Sequence, residues 1–134
     1  MSQMTNYLED AIINHIFRGT TFSAPTTLYV ALFTAAPTDA GGGTEVTGGS
    51  YARVAVPCNT TNWAATSGGN GVTSNSNAIT FPTATANWGN VVAVAFMDAA
   101  SGGNMLIYLS QSSTAVNSGQ TASFAAGQLS VTAA

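Results

Sequence analysis

The sequence predicts a mainly β protein: an antiparallel β-sandwich or barrel-like domain carrying one N-terminal amphipathic helix. Three observations predict it. Short apolar runs that alternate with a period of two recur from residue 26 onward. Proline and glycine-rich stretches separate these runs and supply turn chemistry. Helical spacing is confined to residues 6–18. The length of 134 residues fits one domain, 1–134, large enough to bury a core without disulfides or metals.

The first element is the helix, residues 6–18 (NYLEDAIINHIFR). Asn6 is placed to cap it, with Glu9 three residues on in the capping-box position. Glu9 and Asp10 suit the positive end of the helix dipole and Arg18 the negative end. Gly19 is placed to end the helix in a left-handed conformation. Leu8, Ala11, Ile12, His15 and Ile16 follow helical spacing, and Tyr7, Ile13 and Phe17 widen the apolar arc. A helix this short is marginal alone, so it must pack on the domain or on a neighbouring chain.

After Pro25 the period changes. Residues 26–34 (TTLYVALFT) read as a strand with apolar side chains on both faces, hence covered on both sides. Residues 35–50 form a long loop rich in glycine, and 51–56 a second strand stopped by Pro57. Residues 58–77 form a second long loop, anchored by Trp63 and containing a short hairpin at 68–71. Residues 78–81 make a short strand before Pro82. Residues 91–97 (VVAVAFM), the turn 98–104 and the return 105–109 make a hairpin. Two short strands, 121–124 and 128–132, finish the chain.

Charge bounds the chemistry. Asp and Glu number five and Arg two, with no lysine, giving a net charge of −3. Charged residues are 5% of the chain, against roughly a quarter in an ordinary soluble protein. A mean hydropathy of +0.23 accompanies this poverty of charge, and such a surface either belongs inside an assembly or relies on Ser, Thr, Asn and Gly for solubility. Two arginines cannot form the basic track that nucleic acid or an anionic membrane requires. The N-terminal stretch has no basic n-region and no apolar run reaches membrane-spanning length, so synthesis in the host cytoplasm is expected.

Without lysine the triple glycine at 41–43 is no P-loop, and Schiff-base chemistry is closed. His15 is the only histidine and sits on the apolar stripe, where packing or an interface accounts for it. One His and one Cys cannot build a zinc site. Cys58 has no cationic neighbour in sequence and reads as a small, half-buried side chain. Asp39 and Glu45 flank the glycine loop without calcium-loop spacing and read as solvated loop acids. No catalytic residue, cofactor or metal is expected. A small hydrolase working through His15 is the weakest of the readings considered.

Four stretches then carry a family resemblance: Asn6 to Arg18, Thr26 to Arg53, Ser74 to Gly89 and Asp98 to Leu106. Together they resemble small structural virion proteins of tailed bacteriophages, a family often labelled tail fibre. Similar small β-proteins serve as capsid decoration, or cement, subunits. The resemblance implies a non-enzymatic virion component. The sequence shows neither fibre repeats nor coiled-coil heptads, which favours the capsid exterior over the tail. The alternative is a tail or tail-fibre component in host attachment, with Trp63, Trp88 and residues 58–77 as its ligand surface. Expected partners are the major capsid protein or other virion proteins, and further copies of the chain, a trimer suiting local three-fold axes. The candidate assembly contacts are Tyr7, Leu8, Ile12, His15, Ile16, Phe17, Trp63 and Trp88.

Overall fold

A computed structural model describes residues 2–133. In chain order its elements are β1 (Ser2–Met4), α1 (Asn6–Arg18), β2 (Thr27–Ala35), β3 (Thr44–Glu45), β4 (Val54–Pro57) and β5 (Val72–Ser74). These are followed by β6 (Ile79–Thr80), β7 (Gly89–Met97), β8 (Met105–Val116), β9 (Ser123–Phe124) and β10 (Ser130–Thr132). The protein is mainly β with one helix, and its strands pair antiparallel.

A six-stranded sheet runs β1-β8-β7-β2-β3, with β4 bonded to β2 beside β3. Its centre is the set of apolar strands that the alternation predicts. Register pairs Val30 with Phe96 and Leu32 with Val94 on one face, and Ala31 with Ala95 and Phe33 with Ala93 on the other. The first face carries the main core. Val30, Leu32, Val94 and Phe96 pack there with Ile79 and Phe124 from the ribbon β6–β9, Val131 from the ribbon β5–β10, and Leu129 just ahead of β10. The sandwich is therefore asymmetric: one broad sheet faces two separate ribbons. Burying each such side chain contributes about 1.5–3 kcal/mol relative to leaving it in water, which is what holds the ribbons down.

The second face is covered as well, by a different device. Ala31, Phe33, Ala93, Ala95, Met97, Met105 and Tyr108 form a smaller cluster there. The loop after β2 reaches Tyr108, whose hydroxyl donates to Asp39 Oδ1 at 2.7 Å. The Asp39 carbonyl accepts from Asn6 N–H at 2.8 Å. Since β7 separates β2 from β8, this loop has to cross β7 to make those bonds. Three alanines in the sheet leave room beneath it.

Several local expectations shift. The helix cap is Thr5, not Asn6. The Thr5 hydroxyl accepts from Leu8 N–H at 3.4 Å and donates to the Met105 carbonyl at 2.6 Å. One buried side chain thus ends α1 and welds it to β8. Gly19 closes the other end as expected, with φ of 67° and its N–H on the Asn14 carbonyl. Strand β4 covers only Val54–Pro57, because Tyr51 leaves the sheet and turns its hydroxyl to the Leu32 N–H at 3.0 Å. Strand β8 runs on to Val116, well past Leu109, through a polar stretch that pairs with β7 beyond an irregularity in register. The 58–77 loop contains β5, and a Trp63–Asn75 bridge closes the turn at 68–71. Asn75 is 1% exposed and fully engaged: its amide donates to the Asn77 and Ala125 carbonyls, and its Oδ1 accepts from Leu129 N–H.

Candidate functional site

Helix α1 touches the body only through its base. Leu8 is buried against β8, and Ile12 is half-buried. Beyond that the helix stands clear. Ile13 is 54% exposed, Ile16 65% and Phe17 77%, so exposure increases toward the C-terminal end. These three positions are related by i, i+3 and i, i+4 and form one patch. Glu9 and Asp10 lie on the same side nearer the base, on the helical wheel. Tyr7 is 43% exposed and lies apart from the patch. The sequence leaves open whether α1 packs on its own domain; the structure leaves its outer face bare.

His15 is exposed, and its Nδ1 lies 3.3 Å from both the Thr20 carbonyl and the Phe22 N–H. A bare Nδ1 accepts from Phe22, and a protonated one donates to Thr20. Either way the imidazole ties the chain leaving α1 back to the helix. Among the described residues no carboxylate bonds to the ring.

The two tryptophans part company. Trp63 is half-buried, packs edge-on against Phe96 with ring centroids 5.7 Å apart, and has no acceptor for its indole N–H among the described residues. Trp88 corrects the sequence reading. It is 6% exposed, lies in the main core, and donates from Nε1 to the Gly49 carbonyl at 2.9 Å. Its ring offers no contact surface, because the glycine-rich loop folds over it. Trp63 and Trp88 therefore do not form a common aromatic platform.

Beside the base of α1 lies an apolar pocket of about 280 Å³, lined by Leu8, Leu28, Trp63, Phe96, Ile107 and Val131, with Cys58 and Thr73 also on its wall. Cys58 is exposed as a residue, not half-buried. Partial burial of its thiol pushes the pKa up, which disfavours the nucleophilic thiolate.

The polar groups are drawn into structure elsewhere. Arg53 Nε and Nη2 fork onto Glu45 Oε2 and Oε1 at 2.8 and 2.7 Å. Its Nη1 donates to the Ala99 and Gly102 carbonyls at 2.7 and 2.9 Å. Tyr51 donates to Glu45 Oε2 at 2.7 Å. Burial alone would raise the Glu45 pKa, but the Arg53 and Tyr51 bonds and the Arg53 charge outweigh it and hold the carboxyl below its ordinary value. Burial, with the Glu45 carboxylate adding to it, pushes the Tyr51 phenol up. Arg53 is raised by its bond to Glu45. Glu45 is thus not the solvated loop acid that its sequence context suggests, being locked to Arg53, whereas Asp39 is exposed as expected and also holds Tyr108. Among the described residues no group of three His, Cys, Asp or Glu side chains converges to hold a metal ion.

Sequence reasoning missed Ile13 as a member of the exposed patch, and it missed the pocket itself. Ile13 was visible as part of the apolar arc, but which side of that arc faces the body depends on where Thr5 pins the helix.

A family model described as Podophage GP4 fiber I protein gp80 matches residues 3–132. No curated protein matches the chain. All four stretches that resemble small phage virion proteins fall within the matched residues. The chain belongs to the Podophage GP4 fiber I protein gp80 family, a family of phage virion proteins.

Proposed function

We propose that this chain is a non-enzymatic structural subunit of a phage fibre, built into the virion through the free end of α1. The observation that carries the reading is the bare patch of Ile13, Ile16 and Phe17 on a helix whose base is pinned by Thr5. Leaving three large apolar side chains in water forgoes several kcal/mol of burial, about 1.5–3 kcal/mol for each one fully buried. An apolar patch grouped on one exposed helix face supports the reading of that face as an interaction site. The chain has no heptads, so it suits a compact module of the fibre and not a coiled-coil shaft.

The family description favours the fibre over head decoration, the placement that the lack of fibre repeats and heptads in the sequence favours. Immunogold labelling of purified virions separates the two: gold on the tail fibres is expected, and gold confined to heads overturns the fibre assignment.

A further inference from the structure

Of the eleven asparagines in this chain, three precede a glycine or a serine: Asn70, Asn75 and Asn117. A small following residue leaves the next main-chain nitrogen open to attack the asparagine side chain, and glycine, with no Cβ, leaves it most open. We infer that Asn70 is a self-modification site of the folded protein. The Gly71 nitrogen attacks Asn70 Cγ and a C–N bond forms. The side-chain nitrogen leaves as ammonia, carrying away the Gly71 amide proton. Water then opens the five-membered imide. Breaking one of its two C–N bonds gives aspartate; breaking the other gives isoaspartate, whose main chain runs through the former side chain. Water is the only co-reactant, and nothing is oxidised or reduced.

The local geometry is set for the first step. Asn70 and Gly71 are both exposed, in the turn that leads into β5. Asn70 Oδ1 accepts from the Val72 N–H at 3.2 Å, which makes an Asx turn. That ring folds the side chain back along its own main chain, toward the Gly71 nitrogen. The same bond draws electrons from Cγ and makes it a better target. Among the described residues nothing holds the two nitrogens that the reaction moves: neither Asn70 Nδ2 nor the Gly71 N–H has a hydrogen-bond partner.

The fold blocks the other two sites. Asn75 is 1% exposed, its Nδ2 is held by two carbonyls, and the Ser76 N–H donates to the Asn62 carbonyl at 2.8 Å. Asn117 is exposed, but the Ser118 N–H is tied to Asn87 Oδ1 at 2.9 Å. Their attacking nitrogens are engaged, and the Gly71 nitrogen is not. The product matters in a chain so poor in charge: each event adds a carboxylate and takes the net charge from −3 to −4. Isoaspartate also places an extra methylene in the main chain directly ahead of β5, where the Gly71 carbonyl accepts from the Ala133 N–H at 2.9 Å.

The test is a time course of the full chain in warm neutral buffer, native and unfolded in guanidinium chloride. Anion exchange of the intact protein counts the added charge. Mass spectrometry of chymotryptic peptides places it, since cuts after Trp63 and Phe81 release the segment that holds Asn70. In the native protein Asn70 should convert several-fold faster than Asn75 or Asn117, giving separable aspartyl and isoaspartyl peptides. Unfolding should speed Asn75 and Asn117 several-fold and leave Asn70 nearly unchanged. Asn70→Ser should abolish the early acidic species. A native Asn70 that keeps its amide, or that folding slows as much as it slows Asn75, overturns the inference. So does an early acidic species that survives Asn70→Ser. Fibre location is decided separately by the immunogold experiment.

Discussion

Replacing Arg53 by Ala removes the most connected side chain among the charged residues. Its guanidinium makes two bonds to Glu45 and two to carbonyls of the 98–104 turn, and its side chain is only 6% exposed. Breaking a buried pair by deleting one partner costs about 3–5 kcal/mol, because the survivor is left uncompensated. Glu45 is 23% exposed and regains some water, which brings the expected loss to the lower end, about 3 kcal/mol. At about 2.1 cal/mol/K of unfolding entropy per residue, that loss lowers Tm by roughly 10 °C for a chain of this length. Urea unfolding at neutral pH, read by tryptophan fluorescence, measures it. The same experiment in a Glu45→Gln background should show a much smaller effect of Arg53→Ala, since the two side chains act as one unit. Acid titration gives a further check. The Glu45 carboxyl is held below its ordinary value, so its contribution is present above that value and lost as pH falls through the lowered one. Arg53→Ala should shrink that acid-side loss. A cost under about 1 kcal/mol, or an equal cost with Gln at position 45, refutes the view that this cluster anchors the turn to the sheet.

Two other predictions concern the loops. Gly49 has φ of +56°, and a Cβ there would lie 2.8 Å from Trp88 Nε1. Gly49→Ala should therefore cost about 2–4 kcal/mol by denaturant unfolding, combining left-handed backbone strain of ~1–2 kcal/mol with displacement of the indole. Gly48→Ala, at φ of +73° but facing open space, should cost only the strain, about 1–2 kcal/mol, and equal costs at the two sites would argue against the Trp88 contact. The Tyr108 phenol is pushed up to about 12, chiefly by its bond to Asp39 and then by burial. Its contribution is complete below the ordinary value of 10.0 and is lost as pH rises through the raised one. Tyr108→Phe should flatten the alkaline stability profile in that interval, and an unchanged slope would refute the loop–strand bond.

Much of the sheet was legible because strands β2 and β7 and the first half of β8 are apolar and alternate, so burial dictates both their type and their register. Other pieces carry no such signal. Strands β1 and β3 are two or three residues long, and the outer half of β8 is polar; pairing alone makes them strands. The helix was legible to within a residue. Its cap shifted because Thr5 answers to the Met105 carbonyl a hundred positions away, which no local pattern reveals. The same limit applies to the exposed face of α1. An apolar arc shows that α1 has something to bury, but only the tertiary anchor at its base decides that Leu8 faces inward and Phe17 outward. Trp88 was misplaced for a related reason: the partner that encloses it is backbone at Gly49, and backbone leaves no mark in a pattern of side chains.

The near absence of basic side chains has a consequence for proteolysis. Trypsin cuts after lysine or arginine, and this chain offers it two bonds in all. Arg53 is sealed by Glu45 and the turn carbonyls. Arg18 is exposed, in the last turn of α1 next to Phe17 and ahead of Gly19. The folded protein therefore presents this protease with a single open bond, set at the edge of its most apolar surface. Cleavage there acts as a gauge of whether that surface is bare or covered, inside the particle as well as in solution, without a label or a mutation.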